Sequence, residues 1–183
     1  MREFVYDNFE HVLCLLILVG RLGDILSTFI ATPTLRLEAN LLAKKLGRPF
    51  MWLSVLACLI PYYSTELGVI VLVPSLMVSA SNIGKIWFVR SIGEDQYIEI
   101  LYNAVRRGKL WHALVCVVLS SFFIGLTGFT LLLLEPEPEF DWGFWFAFGI
   151  MSYASAILIH GTTFFIRLFK KVKQLDAQID NGN

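Results

Sequence analysis

The chain has 183 residues, of which 56% are hydrophobic, 14% aromatic and only 16% charged. A soluble domain carries about 25% charged residues, so an ordinary water-soluble fold is a poor fit. Fifteen basic residues balance fifteen acidic ones, so nothing points to nucleic acid as a partner. The partner implied is the lipid bilayer, and the expected fold is all-α, a polytopic transmembrane helix bundle forming one domain over 1–183.

The residues before the first apolar run hold Glu3, Asp7 and Glu10 against Arg2 alone. A secretory leader has a basic start and a small-residue cleavage site. The first apolar run therefore reads as a span, over about 11–32. Next comes a polar stretch, 33–49, with Leu35, Ala39, Leu42 and Leu46 on one helical stripe. Thr32 suits a cap and Pro33 a first helical position, while Gly47 ends the run before Pro49. A second span is expected over 50–66. It is short, contains Pro61 and ends in Tyr62, Tyr63, Ser64, Thr65 and Glu66.

The third span is expected over 67–90, with a kink at Pro74, as at Pro61 in the second. Ile98, Leu101, Tyr102 and Val105 form the stripe of a following amphipathic helix. Glu94 and Asp95 open it and Arg106 and Arg107 close it, which suits the helix dipole. The fourth span covers 110–134. The EPEPE stretch then makes a stiff acidic turn before the fifth span, 142–168. Val172, Leu175 and Ile179 carry that helix on into a tail, 169–183. Small residues four apart (Ser75 and Ser79, Ala80 and Gly84, Ser121 and Gly125, Ser152 and Ala156) predict close helix packing. The cysteines, Cys14, Cys58 and Cys116, all lie in apolar runs without a CxxC spacing, so they read as small core residues.

Basic residues set the orientation. Arg36, Lys44, Lys45 and Arg48 lie in 33–49. Arg90, Arg106, Arg107 and Lys109 lie in 90–109, and Arg167, Lys170, Lys171 and Lys173 at the end. The opposite connections hold Glu66, Glu135, Glu137, Glu139 and Asp141. Five spans place all three basic segments on one side; four would split them. The expectation is five spans, N-terminus out and C-terminus in, in a prokaryotic cytoplasmic membrane. Trp142 and Trp145 at one interface and Trp52, Trp87 and Trp111 at the other agree with this.

Ionisable groups within spans are costly and so informative. Arg21 and Asp24 lie three apart on one face, with Ser27 and Thr28 a turn later. Asn82 and Lys85 lie in the third span, His160 and Thr163 in the fifth. At about 1.5 Å per residue from the outer end, Asp24 is roughly 20 Å deep, Asn82 roughly 23 Å, and Lys85 and His160 roughly 27 Å. All fall in the cytoplasmic half, so a polar pocket open to the cytoplasm is expected, with Glu38 and Asn40 at its mouth. Each residue also has a plainer reading. Arg21 and Asp24 suit an internal salt bridge as well as a proton- or substrate-handling pair. Lys85 suits snorkelling to the interface. His160 suits a carbonyl hydrogen bond, a titrating group or a metal ligand. Asn82 suits a helix bridge, Glu38 a surface carboxylate, and Ser27, Thr28 and Thr163 bonds to their own helices.

The run Gly23-Asp24-Ile25-Leu26-Ser27-Thr28, followed by Glu38-Ala39-Asn40, resembles a family of small uncharacterised prokaryotic integral membrane proteins. These carry a D-x-x-[ST]-T element in one span and E-x-N-P soon after. The likeness covers about 20 residues, and Leu41 stands where the family has proline. It implies no activity, but it implies that Asp24, Thr28, Glu38 and Asn40 act together.

No G-x-S-x-G, H-E-x-x-H, P-loop or dinucleotide glycine motif occurs. Three readings stay open. One is ion, proton or small-solute handling, alone or as a subunit, with a homo-oligomer expected for so few spans. The second is an accessory subunit docking a membrane-protein partner through its cytoplasmic helices. The third is an intramembrane enzyme using Asp24, Glu38 and His160 for acid–base or metal chemistry. The sequence names no cofactor.

Overall fold

The computed structural model describes residues 8–31, 33–35, 41–134 and 142–181. These are helical almost throughout, with no strand among them. In chain order the elements are α1 (Phe9–Ala31), α2 (Leu41–Leu46), α3 (Arg48–Leu53), a 3-10 helix (Ser54–Tyr62), α4 (Thr65–Ile92), α5 (Glu94–Arg107), α6 (Leu110–Leu134) and α7 (Trp142–Asn181).

Four helices, α1, α4, α6 and α7, are long and apolar enough to cross a membrane. The expected second span, 50–66, is shorter in the structure. The apolar run Arg48–Tyr62 starts as α-helix, tightens to 3-10 and ends before Ser64. Local chemistry explains the end. Pro61 has no N–H to continue a helix. Ser64 is extended (φ −153°) and its hydroxyl accepts from the Leu67 N–H at 3.2 Å, starting α4. α4 itself runs unbroken through Pro74.

Contacts at the helix ends give the directions. Phe9 at the start of α1 stacks on Trp142 at the start of α7, with ring centroids 4.3 Å apart. His11 Nδ1 is 2.7 Å from the Tyr62 hydroxyl. At the other end, Arg48 donates to the Pro33 carbonyl at 3.4 Å and sits over the Phe29 ring. Residues 48–62 therefore run back along the whole of α1. Thr34 donates through its hydroxyl to Glu94 at 2.5 Å, bringing the start of α5 to that same end. α1, α4 and α7 point one way; α6 and the 48–62 segment point the other.

The four long helices pack in the order α1, α4, α7, α6, and the 3-10 helix lies against α1 and α4. Glycines make the joints. A Cβ on Gly20 would lie 3.1 Å from Ser75 Cβ, and one on Gly149 would lie 2.8 Å from two atoms of Val73. Ser121 donates to the Ala154 carbonyl at 2.8 Å, joining α6 to α7. Three expected small residues, Ser75, Ser79 and Ser121, are thus buried at helix contacts. Gly84 is not: no atom lies within 4 Å of the Cβ position there.

The cytoplasmic-end expectations are met unevenly. No helix starts at Pro33. Residues 33 and 34 turn and Leu35 has φ +55°, while Thr32 and residues 36–40 lie outside the described residues. α5 forms where expected, and Val105, Leu101 and Tyr102 pack on Leu168, Val172 and Phe169 of α7. The tail is helical to Asn181, continuous with the last span. Only Cys58 is a core cysteine. Cys14 is half-buried and Cys116 exposed, because α6 packs on one face only and presents the rest of its apolar surface outward.

Candidate functional site

The polar residues of α1 meet α4 where the two helices come closest. Gly23 lets this happen: a Cβ there would collide with the Ser79 hydroxyl. One turn along, the Asn82 amide donates from Nδ2 to Asp24 Oδ1 at 2.7 Å. Both residues are half-buried. A carboxylate inside a bundle must have its charge answered, and an amide donor at this distance is a charge-assisted bond.

Arg21 lies one turn earlier on the same face. It is within electrostatic reach of Asp24. Its Nε is nonetheless buried without a hydrogen-bond partner. Asn82 bonds one oxygen of the Asp24 carboxylate, and Arg21 interacts with the same carboxylate through its charge. A buried N–H left unsatisfied costs about 1–3 kcal/mol, more for a charged group, so Arg21 holds donor capacity unused within the fold.

Ser27 is buried and donates back to the Asp24 carbonyl at 2.9 Å. Thr28 is also buried. Glu38 and Asn40 lie outside the described residues. Lys85, one turn past Asn82, is exposed. On α7, Thr163 donates to the carbonyls of Ile159 and His160 at 2.8 and 3.0 Å, and both residues are half-buried. These are bonds within one helix. Asp24 and Asn82 therefore converge, with Arg21 beside them, while Lys85 points away and His160 belongs to the α7 surface near α6, where its neighbour Gly161 abuts Val117.

Two participants escaped the sequence reading. Ser79 was visible as a small residue, yet its place against Gly23 depends on helix rotation. Tyr153, buried on α7, lies close to Ser81 of α4. Its signal was a phenol amid aliphatic residues. The polar seam thus runs from α1 across α4 towards α7.

Among the described residues, no three His, Cys, Asp or Glu side chains come together to hold a metal ion. A cavity of ≈ 350 Å³ lies away from the seam, lined by Val73, Leu76, Met77, Ile124, Thr127, Phe146 and Ile150. Thr127 satisfies its hydroxyl on the Phe123 carbonyl at 3.0 Å, so this cavity offers almost no polar atom to a ligand.

Four apolar helices packed around a polar seam are the fold of a helical membrane protein. No protein-family model, curated protein or solved structure matches the chain.

Proposed function

We propose that the chain is a five-span membrane protein with its N-terminus outside, handling a small ion or proton at a site on α1 and α4 that opens to the cytoplasm. The observation that carries this is the 2.7 Å contact from Asn82 to Asp24, between residues 58 apart in sequence. A carboxylate held by an amide, with an incompletely satisfied arginine one turn away, is a place where charge can be exchanged at small cost in rearrangement. Gly23 and Ser79 keep the two backbones close enough for it.

Length supports a span by the 48–62 segment. Fifteen α-helical residues would rise roughly 22 Å. Six α-helical and nine 3-10 residues rise roughly 27 Å, near the roughly 30 Å of a hydrocarbon core. The tighter helix thus stretches a short segment to nearly the needed reach. The end contacts of Arg48 and Tyr62 with opposite ends of α1 fit this.

Two experiments test the proposal. In a cysteine-free background, Tyr63→Cys should react with an impermeant maleimide from outside, and Lys45→Cys and Lys173→Cys only after permeabilisation. Tyr63 and Lys45 labelling from one side would refute a span by the 48–62 segment. For the site, proteoliposomes loaded with a pH-sensitive dye should show flux under imposed proton, sodium or potassium gradients. Asp24→Asn should abolish that flux and Asn82→Ala should reduce it. Equal flux in wild type and Asp24→Asn, or none in either, would sink the reading.

One observation favours a second reading, an accessory subunit. α5 and the end of α7 lock into one cytoplasmic layer. Arg106 grips Asp176 at 2.8 Å, and Lys171 lies over Tyr102. The outward side of this layer keeps Arg107, Lys109, Lys170 and Lys173 exposed. Co-purification of a stoichiometric membrane partner in mild detergent, lost on reversing these charges, is the outcome that this reading requires.

A further inference from the structure

At the end of the bundle opposite Asp24, four reactive side chains gather. Cys58 is buried in the 3-10 helix among Leu13, Ile17, Val69 and Leu72, and Cys14 of α1 packs against that same cluster. Cys14 lies within electrostatic reach of both Cys58 and Tyr62. Tyr62 is 53% exposed and its hydroxyl is 2.7 Å from His11 Nδ1. The phenol and imidazole rings also meet edge-on at 5.4 Å. A thiol, a second thiol, a phenol and an imidazole thus run in sequence from the core to the surface.

Each has a chemical use in that order. Cys14 is half-buried and reachable, whereas Cys58 is shielded. Thiol–disulfide exchange needs a thiolate to attack, a route for its proton and a second thiol to resolve the mixed disulfide. We propose that Cys14 and Cys58 form a thiol–disulfide exchange pair, with Cys14 the attacking thiol, Cys58 the resolving one, and Tyr62 and His11 the proton route.

Cys14 gives its proton to Tyr62 as Tyr62 passes its own to His11. The thiolate attacks one sulfur of a disulfide RS–SR, the S–S bond breaks, and RS⁻ leaves and takes a proton to become RSH. The Cys58 sulfur then attacks the Cys14 sulfur, and the Cys58 proton passes to the sulfur that leaves. A second RSH departs and an internal Cys14–Cys58 disulfide remains. Two protein thiols are oxidised by two electrons, and one disulfide is reduced to two thiols. The product staples the 3-10 segment to α1. In the proposed orientation this end faces outside, where disulfides persist. The contacts themselves are independent of the orientation and of the Asp24 site.

The full chain carrying Cys116→Ser, purified in detergent, is treated with oxidised glutathione, alkylated and analysed by mass spectrometry. Cys14 and Cys58 should become protected together, with no glutathione retained. Cys58→Ser should leave glutathione on Cys14, whereas Cys14→Ser should leave Cys58 unmodified. Tyr62→Phe should slow oxidation by about tenfold without changing its extent. Both thiols remaining alkylatable, each taking its own glutathione, or an unchanged rate in Tyr62→Phe would overturn the proposal.

Discussion

Removing the contact between Asn82 and Asp24 gives the most direct measure of the α1–α4 seam. Its length, 2.7 Å, is that of a charge-assisted bond. Hydrogen bonds to charged groups contribute about 1.5–3 kcal/mol net in proteins. Interhelical bonds in membranes contribute less, about 0.6 kcal/mol on average and about 1.7 at most, because the unfolded helices also find partners. Both residues here are half-buried, so a coupling of about 1 kcal/mol is expected. The assay is a double-mutant cycle of Asp24→Ala and Asn82→Ala. Each variant is unfolded by titrating a denaturing detergent into mild-detergent micelles. Asn82→Ala should cost clearly less once Asp24 is gone, and Asp24→Asn, which keeps an acceptor, should retain part of the coupling. Equal costs of Asn82→Ala in both backgrounds would refute the claim that this bond joins the helices.

Three further perturbations separate packing from surface chemistry. Gly149→Ala drives a Cβ to 2.8 Å from the stiff Val73 side chain, and overpacking of this kind should cost about 1–3 kcal/mol in the same unfolding assay. Gly84→Ala meets open space and should stabilise by up to about 1 kcal/mol through helix propensity; a loss there would show that Gly84 contacts another chain. Asp176→Ala removes a bidentate partner of Arg106, but both side chains are over 40% exposed. It should cost only about 0.2–1 kcal/mol, and less as salt is raised; a cost independent of salt would contradict a solvated pair.

Much of this architecture was legible in the sequence because it is local. Apolar length, the placement of basic residues and the stripe of Ile98, Leu101, Tyr102 and Val105 are properties of neighbouring residues. Apolar length and that stripe led to the four long helices, to α5 and to the helical tail, whereas the basic residues led to the expectation of five spans. A buried charge also announces itself from composition alone, and so Asp24 and Asn82 stood out before any contact was known. The partners of such groups are a different matter. Asp24 meets Asn82 because Gly23 lets Ser79 in and brings α4 close against α1. Residues 48–62 change helix type because Pro61 ends the run and the segment must follow α1 from end to end. Lys85 and His160 were placed by position along their helices, which says nothing about which way a side chain faces around its helix axis. Cys14 and Cys58 come together only because the 3-10 helix folds back on α1. The sequence by itself determined which segments are apolar helices and where along them the charged residues stand, since both follow from residue spacing along one helix. Tertiary structure alone decided which of those charges and thiols meet, since that depends on how each helix is turned against its neighbours.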